Sequence, residues 1–325
     1  MRVLVSGGAG YIGSVTAARL LARGWSVEIL DDLSTGHVAA VPPGAVLHRG
    51  RLEDRDLLAR VFARPFDGVV HFAARSLVAQ SQARPLDYWR DNLGAAVALL
   101  ERLVAGGAAR CVFSSSAAVY GEPPSVPIPE DAPLAPVNTY GRTKLAMEQI
   151  LADAARAHGL AAVALRYFNA AGADGQRGEH HEPETHLIPR LLRSLLDQAV
   201  EFQIFGDDYP TPDGTCVRDY VHVADLAEAH ALALEWADRP GFTPLNLGGG
   251  RGWSVREVLD AVARATGRAL APAVAARRPG DPARLVASNE RARQLLGWRP
   301  AHSDLPQIVA DAWAWHRAHP SGYGD

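Results

Sequence analysis

Glycines at positions 7, 10 and 13 stand directly behind the apolar run Val3-Leu4-Val5-Ser6 and open a segment of helical spacing, Tyr11–Arg23. No other feature narrows the possible folds so far. A strand that passes through a glycine-rich turn into a helix is the start of a βαβ unit. The glycines allow a tight turn and close approach of backbone to a bound group, and the helix N-terminus offers N–H groups to an anion. Such a turn suits a dinucleotide pyrophosphate, so Gly7, Gly10, Tyr11, Ile12 and Gly13 are candidate cofactor contacts.

The rhythm persists. Strand-like runs recur at Val27–Leu30, Val46–His48, Gly68–Phe72, Arg110–Ser114 and Ala162–Arg166, with helical patterns near Asp54–Ala63, Tyr88–Ala105 and Thr139–His158 between them. This alternation predicts an α/β fold, a doubly wound (Rossmann) parallel sheet with helices on both faces. The run Gly68-Val69-Val70-His71-Phe72 is nearly all apolar, as a strand buried on both faces requires. After residue 168 the texture changes. Ala170–Pro183 reads as a long loop, followed by helices near Leu187–Gln198, Val223–Ala237, Val255–Thr266 and Pro306–His319 and short strands at Phe202–Phe205 and Pro244–Leu247. The expected division is a cofactor-binding domain over 1–168, joined by part of 217–247, and a smaller mixed α/β substrate domain over 169–216 and 248–325, with a ligand cleft between them.

Composition removes several classes of function. A net charge of −3 lacks the basic excess that nucleic-acid binding needs. No apolar run approaches the roughly 20 residues that cross a bilayer. Cys111 and Cys216 are the only cysteines, too few for a disulfide framework. Met1 leads straight into the first strand, so the expectation is a cytoplasmic protein with no targeting segment.

The second strand ends at Asp31-Asp32, where a carboxylate accepts from the adenosine ribose and repels a 2′-phosphate. No arginine follows within the next several residues, which favours NAD over NADP. Chemistry is carried further along. Tyr140 and Lys144 lie four apart on one helix face, and Ser114-Ser115-Ser116 stands at the end of the fifth strand, where an open α/β sheet binds its ligands. Lys144 is the single lysine among 33 basic side chains. An ammonium beside a phenol is expected to pull its pKa down from about 10 towards working pH, and a serine hydroxyl can share the same substrate oxygen. Ser116, Tyr140 and Lys144 are therefore the candidate catalytic residues of hydride chemistry at a carbinol carbon.

Val3–Gly13, Ser114–Gly121 and Tyr140–Lys144 together resemble the extended short-chain dehydrogenases. Arg166–Asn169, Ile204–Thr215, Val217–Val223, Asn246–Gly248 and Arg277–Asp281 resemble, more narrowly, the UDP-glucose 4-epimerase family, and the likeness runs the length of the chain. The resemblance implies a homodimer with bound NAD that epimerises UDP-sugars at C4 through a transient 4-keto sugar. It also implies that Leu52, Phe72, Ala73, Ala74, Asn92, Ser114 and Tyr167 join Asp31, Asp32, Tyr140 and Lys144 around NAD. Asn169, His186, Leu187, Phe205, Arg218, Arg278 and Asp281 would, by the same likeness, join Ser116 and Tyr140 around the UDP-sugar. Two departures stand out. Arg51 occupies a position where the family has an aspartate facing adenine, and Arg75 or Ser76 replaces a family lysine near the cofactor. Leu285 takes the place that gates sugar size, leaving N-acetylated and uronic substrates open.

Rival readings share the fold: a 4-epimerase of UDP-N-acetylglucosamine or UDP-glucuronate, a uronic-acid decarboxylase, or a 4,6-dehydratase. The dehydratases resemble one another in a Thr-Asp-Glu that supplies the acid and base for water loss, whereas Ser116-Ala117-Ala118 stands here. A non-catalytic NAD sensor would have little use for Ser116, Tyr140 and Lys144 together. His180, His181, Glu182, Glu184 and His186 match no helical ligand pair, so no metal is expected and a loop or solvated role is read for them.

Overall fold

The computed structural model describes residues 1–107, 110–197, 202–278 and 281–324. The first half runs β1 (Arg2–Ser6), α1 (Tyr11–Ala22), β2 (Ser26–Asp31), β3 (Val46–Arg49), α2 (Arg55–Val61), β4 (Gly68–His71), α3 (Val78–Ala83), α4 (Pro85–Trp89), α5 (Ala95–Ala105), β5 (Arg110–Ser116), α6 (Thr139–His158) and β6 (Ala161–Tyr167). The second half adds β7 (Asn169–Ala171), α7 (Leu187–Leu196), β8 (Gln203–Phe205), β9 (Val217–His222), α8 (Val223–Trp236), β10 (Gly241–Leu247), β11 (Gly252–Ser254), α9 (Val255–Thr266), β12 (Ala273–Ala275), β13 (Arg284–Leu285), α10 (Glu290–Leu296) and α11 (Leu305–Ala318).

Alternation along β1 decides the layers. Val3 and Val5 enter one core with Leu20 of α1 and Leu226 of α8, while Leu4 enters another with Leu58, Leu99 and Leu151 of α2, α5 and α6. A strand covered on both faces in this way is the signature of a doubly wound sheet. The seven strands are ordered β10-β6-β5-β4-β1-β2-β3, every neighbouring pair parallel. The direction of winding reverses between β1 and β4, so a crevice opens at the carboxyl ends of those strands, where such sheets bind ligands. A smaller sheet, β11-β9-β13 with β7 on β9, and the β12-β8 pair pack with α7, α9 and α11 around a third core.

Three departures from the sequence reading concern the site. The stretch read as one helix over Tyr88–Ala105 is broken by a π-turn at Arg90–Gly94, and α3 and α4 precede it. Pro85 opens α4 because its missing N–H costs nothing there. In the second half, β7, β9, β11, β12, β13 and α10 went unread: most are shorter than a typical strand, and β9 carries Arg218 and Asp219 in its middle. The loop read over Ala170–Pro183 begins only after β7 ends at Ala171. Gln198, Pro279 and Gly280, which earlier fell within a helix and a motif, lie outside the described residues. Among the described residues no helix is long and apolar enough to cross a membrane.

Candidate active site

The glycine turn is shaped by what it touches. Gly7 has φ +73°, and a Cβ there would meet the backbone nitrogen of Ala73 at 2.6 Å; one on Gly13 would lie 2.2 Å from the Gly7 carbonyl oxygen. Both positions exclude any larger residue. Gly10, by contrast, would bring its Cβ no closer than 3.4 Å to protein. It is the N-cap of α1 and supplies no side-chain cap, so the N–H groups of the first turn are offered outward. That arrangement fits a pyrophosphate. Phe72 and Ala73, whose N–H groups both donate to the Ser6 carbonyl, carry the chain from β4 against this turn, with Ala74 next in sequence.

Asp31 is mostly buried and already accepts from the N–H groups of Ala9 and Leu33, both at 2.9 Å, so it braces the glycine turn while keeping one lone pair per oxygen for a ribose. Asp32 is more exposed and lies 3.9 Å from the Arg51 guanidinium, which also reaches Glu53 (3.0 Å) and Asp91 (3.7 Å). A cation thus does sit beside the second-strand acids. It comes from Arg51, nineteen positions downstream of Asp32, so a scan of the adjacent residues could not find it. Leu52, next to Arg51, is buried against α2.

Ser116 ends β5 and accepts from the Ala118 N–H, and its hydroxyl is near enough to the Tyr140 phenol to pull its pKa down. Asn138 caps α6 by accepting from the Gly141 N–H at 2.8 Å, and the Tyr140 N–H donates to the Ser81 hydroxyl of α3 at 3.2 Å. The overlooked α3 therefore fixes where the phenol starts. One turn further on, Lys144 is buried, donates to the Ser114 carbonyl at 2.6 Å, and lies 5.6 Å from the centre of the Tyr140 ring. Asn92, held in the π-turn, accepts from the Arg75 N–H at 2.7 Å and donates to the Thr143 hydroxyl at 3.1 Å, tying the end of β4 to α6 beside Lys144. Ser114 and Tyr167 hydrogen-bond each other through their hydroxyls.

The electrostatics of the pair differ from the sequence reading. Burial pushes the Tyr140 phenol up to about 12 against the downward pull of the neighbouring Ser116 hydroxyl, and burial pulls Lys144 down to about 7 against the support of Glu148. In the protein alone, the phenol stays neutral near pH 7, while Lys144 is balanced between its charged and neutral forms. The expected pull of the ammonium on the phenol is outweighed by the burial of the phenol itself.

Behind these residues lies a network whose motif was visible but whose roles were not. Glu148 of α6 is buried and accepts from Ser115 (2.5 Å) and from Arg166 (2.6 Å); Arg166 in turn donates to the Tyr120 hydroxyl (2.9 Å), which donates to Asn246 (2.7 Å). The network ties β5, α6, β6 and β10 together beneath the site.

On the smaller sheet, Arg218 of β9 pairs with Asp281, and the Arg278 guanidinium stacks 3.9 Å over the Phe205 ring. Leu285 is in register with Arg218 and packs on the cluster of Ala117, Val119 and Tyr120 beyond β5. Asn169 donates to the Asp219 carbonyl at 2.8 Å. His186 is the N-cap residue of α7 and Leu187 its first residue.

The histidines and acids of the 179–186 loop are not scattered in solvent. Glu179, His181, Glu184 and His186 converge, with one ligand atom from each lying within 4.8 Å of every other. Burial pulls His181 down, but Glu179 and Glu184 outweigh it and lift the imidazole to about 9. Glu179 was not among the residues singled out in sequence.

A sequence profile of the NAD dependent epimerase/dehydratase family matches residues 3–248. The chain is 52% identical to the UDP-glucose 4-epimerase of Streptomyces lividans over 100% of this chain and 98% of that one. Among solved structures, the UDP-glucose 4-epimerase from Brucella ovis in complex with NAD superposes with a TM-score of 0.91 at 45% identity, covering 96% and 97% of the two chains. The UDP-glucose 4-epimerase from Bifidobacterium longum in complex with NAD+ and UDP gives 0.93 at 37% identity, over 99% and 100%. The parallel sheet, the glycine turn and these matches lead to one conclusion: the chain belongs to the NAD dependent epimerase/dehydratase family and, within it, to the UDP-glucose 4-epimerases.

Proposed function

We propose that Tyr140, Ser116 and Lys144 carry out the reversible epimerisation of UDP-glucose and UDP-galactose at C4. The observation that carries this assignment is the convergence of Ser116, at the carboxyl end of β5, with the Tyr140 phenol and, one helical turn on, the buried Lys144 amine. NAD is the cofactor; when bound, it supplies a hydride acceptor beside C4 and a positive charge that favours the phenolate. Gly7, Gly10, Tyr11, Ile12 and Gly13 would hold its pyrophosphate and Asp31 and Asp32 its adenosine ribose. Leu52, Phe72, Ala73, Ala74, Asn92, Ser114 and Tyr167 would line the rest.

Tyr140 takes the proton of the C4 hydroxyl as the carbinol is oxidised, and Ser116 holds the same oxygen by a hydrogen bond. The 4-keto hexose then turns about its phosphate linkage and presents its other face. Tyr140 returns the proton as C4 is reduced. Net redox is zero. Asn169, His186 and Leu187 would border the hexose, and Leu285 its size limit. Arg218 and Arg278 would grip the diphosphate, Asp281 the ribose and Phe205 the uracil, since charge-assisted contacts at the nucleotide allow a loosely held sugar.

We group 1–168 with part of 217–247 as the cofactor domain, because β10 extends the parallel sheet beside β6 and α8 shares the core of α1. Residues 169–216 and 248–325 form the UDP-sugar domain. A homodimer is supported by exposed apolar side chains on successive helices, Leu86 and Trp89 of α4 and Val97 of α5. The deciding experiment is Tyr140→Phe with UDP-galactose. The variant should retain bound NAD and lose about 10³-fold or more in kcat; turnover near the parent rate would remove Tyr140 from its role.

A further inference from the structure

We propose that Glu179, His181, Glu184 and His186 form a four-ligand site for a divalent transition metal of the zinc class, bracing the loop between β7 and α7. The ligand atoms are already gathered. His181 Nδ1 lies 3.5 Å from Glu179 Oε1 and 3.6 Å from Glu184 Oε2, and His186 Nδ1 lies 2.8 and 3.2 Å from Glu179 Oε1 and Glu184 Oε1. Bonds of about 2.0–2.1 Å to a tetrahedral ion place its ligands roughly 3.3 Å apart. The observed separations bracket that edge.

A second observation is independent of the clustering. The Glu184 side chain is only 4% exposed, and its Oε1 accepts from the N–H groups of Thr185 and His186 at 2.7 and 2.8 Å. Its other oxygen, Oε2, is buried without a hydrogen-bond partner, as is His181 Nδ1, and the two atoms lie 3.6 Å apart. Buried polar atoms without partners cost free energy, and an ion between them would satisfy both. Glu179 is equally enclosed, its side chain 5% exposed.

The donor set also selects the ion. Two imidazole nitrogens and two carboxylates suit zinc, cobalt or manganese, and two negative charges balance a divalent cation. Four protein ligands leave no open position, so the site is structural. Its place gives it an effect: the His181 ring meets Tyr11 edge-on with centroids 6.5 Å apart, and Tyr11 is the first residue of α1 behind the glycine turn. His186 is the N-cap of α7. The ion would fasten the start of α7 to the back of the cofactor turn.

The site shares His186 with the proposed border of the hexose, but its test reads metal binding directly, whatever the outcome for epimerisation. Full-length protein stripped with a chelator is titrated with Co2+, then with Zn2+. The parent should take up a single equivalent of Co2+ with the visible absorption of a four-coordinate site, Zn2+ should displace it, and the melting temperature should rise. Glu184→Gln and His181→Gln, with circular dichroism and NAD content to verify folding, should weaken Co2+ binding by at least about 100-fold, more than a partner in the outer layer would cost. If either variant fails to fold, the parent titration alone decides. Absence of a four-coordinate spectrum in the parent, or equal binding by a folded variant, overturns the site.

Discussion

Lys144→Met isolates the electrostatic strain built into the candidate site. Lys144 is 3% exposed, and its folded-state pKa is about 7 against the usual 10.5. A lysine whose folded value is lowered binds fewer protons in the folded than in the unfolded chain, so it destabilises the fold most below pH 7, and that penalty fades as pH rises towards 10.5. At about 1.4 kcal/mol per pK unit, the penalty is about 5 kcal/mol at pH 6 and about 2 kcal/mol at pH 9. Methionine is close in shape and carries no charge. Losing the ammonium also strands the Ser114 carbonyl, at a cost of about 1–3 kcal/mol that does not change with pH. The difference between variant and parent should therefore swing by about 3 kcal/mol towards the variant on going from pH 9 to pH 6. Urea unfolding of NAD-free protein at the two pH values measures it, while the variant loses turnover. A difference that is the same at both pH values would refute the claim that a desolvated ammonium sits at this site.

Other perturbations test other parts. Glu148→Gln leaves the buried Arg166 guanidinium uncompensated and should cost about 3–5 kcal/mol in chemical denaturation; a loss below about 1 kcal/mol would mean that the network is not a closed ion pair. Gly13→Ala drives a methyl group to 2.2 Å from the Gly7 carbonyl, so the purified variant should carry little NAD when its bound nucleotide is extracted. Arg218→Met should raise KM for UDP-galactose about 100-fold with kcat nearly unchanged, as expected when binding shared by ground and transition states is removed; a fall in kcat alone would place Arg218 elsewhere in the mechanism.

The cofactor half was legible because its signals are local and strongly periodic. A glycine triplet between strand and helix, acids at the next strand end and apolar runs of the right length each specify structure within about a dozen residues. The smaller sheet was not legible, because two- and three-residue strands such as β13 and β11 are defined by partners elsewhere in the chain and have no period to read. The π-turn at Arg90–Gly94 escaped for a related reason: helical spacing survives one wide turn, yet that turn aims Asn92 at Arg75 and Thr143. The sequence placed Tyr140 and Lys144 on one face but could not foresee that burial would lift one and lower the other. The convergence of side chains in the 179–186 loop was not legible because their spacing is not helical, and loop geometry gathered side chains that a helical template would have kept apart.

Epimerisation at C4 is oxidation and return at a single carbon. It is tested most directly by giving the purified protein UDP-galactose in D2O with no NAD added and reading the product by NMR. UDP-glucose should accumulate to equilibrium with ordinary hydrogen at C4, since that hydrogen leaves and returns without meeting solvent. Deuterium at C4, or no UDP-glucose from protein that retains its NAD, would contradict it.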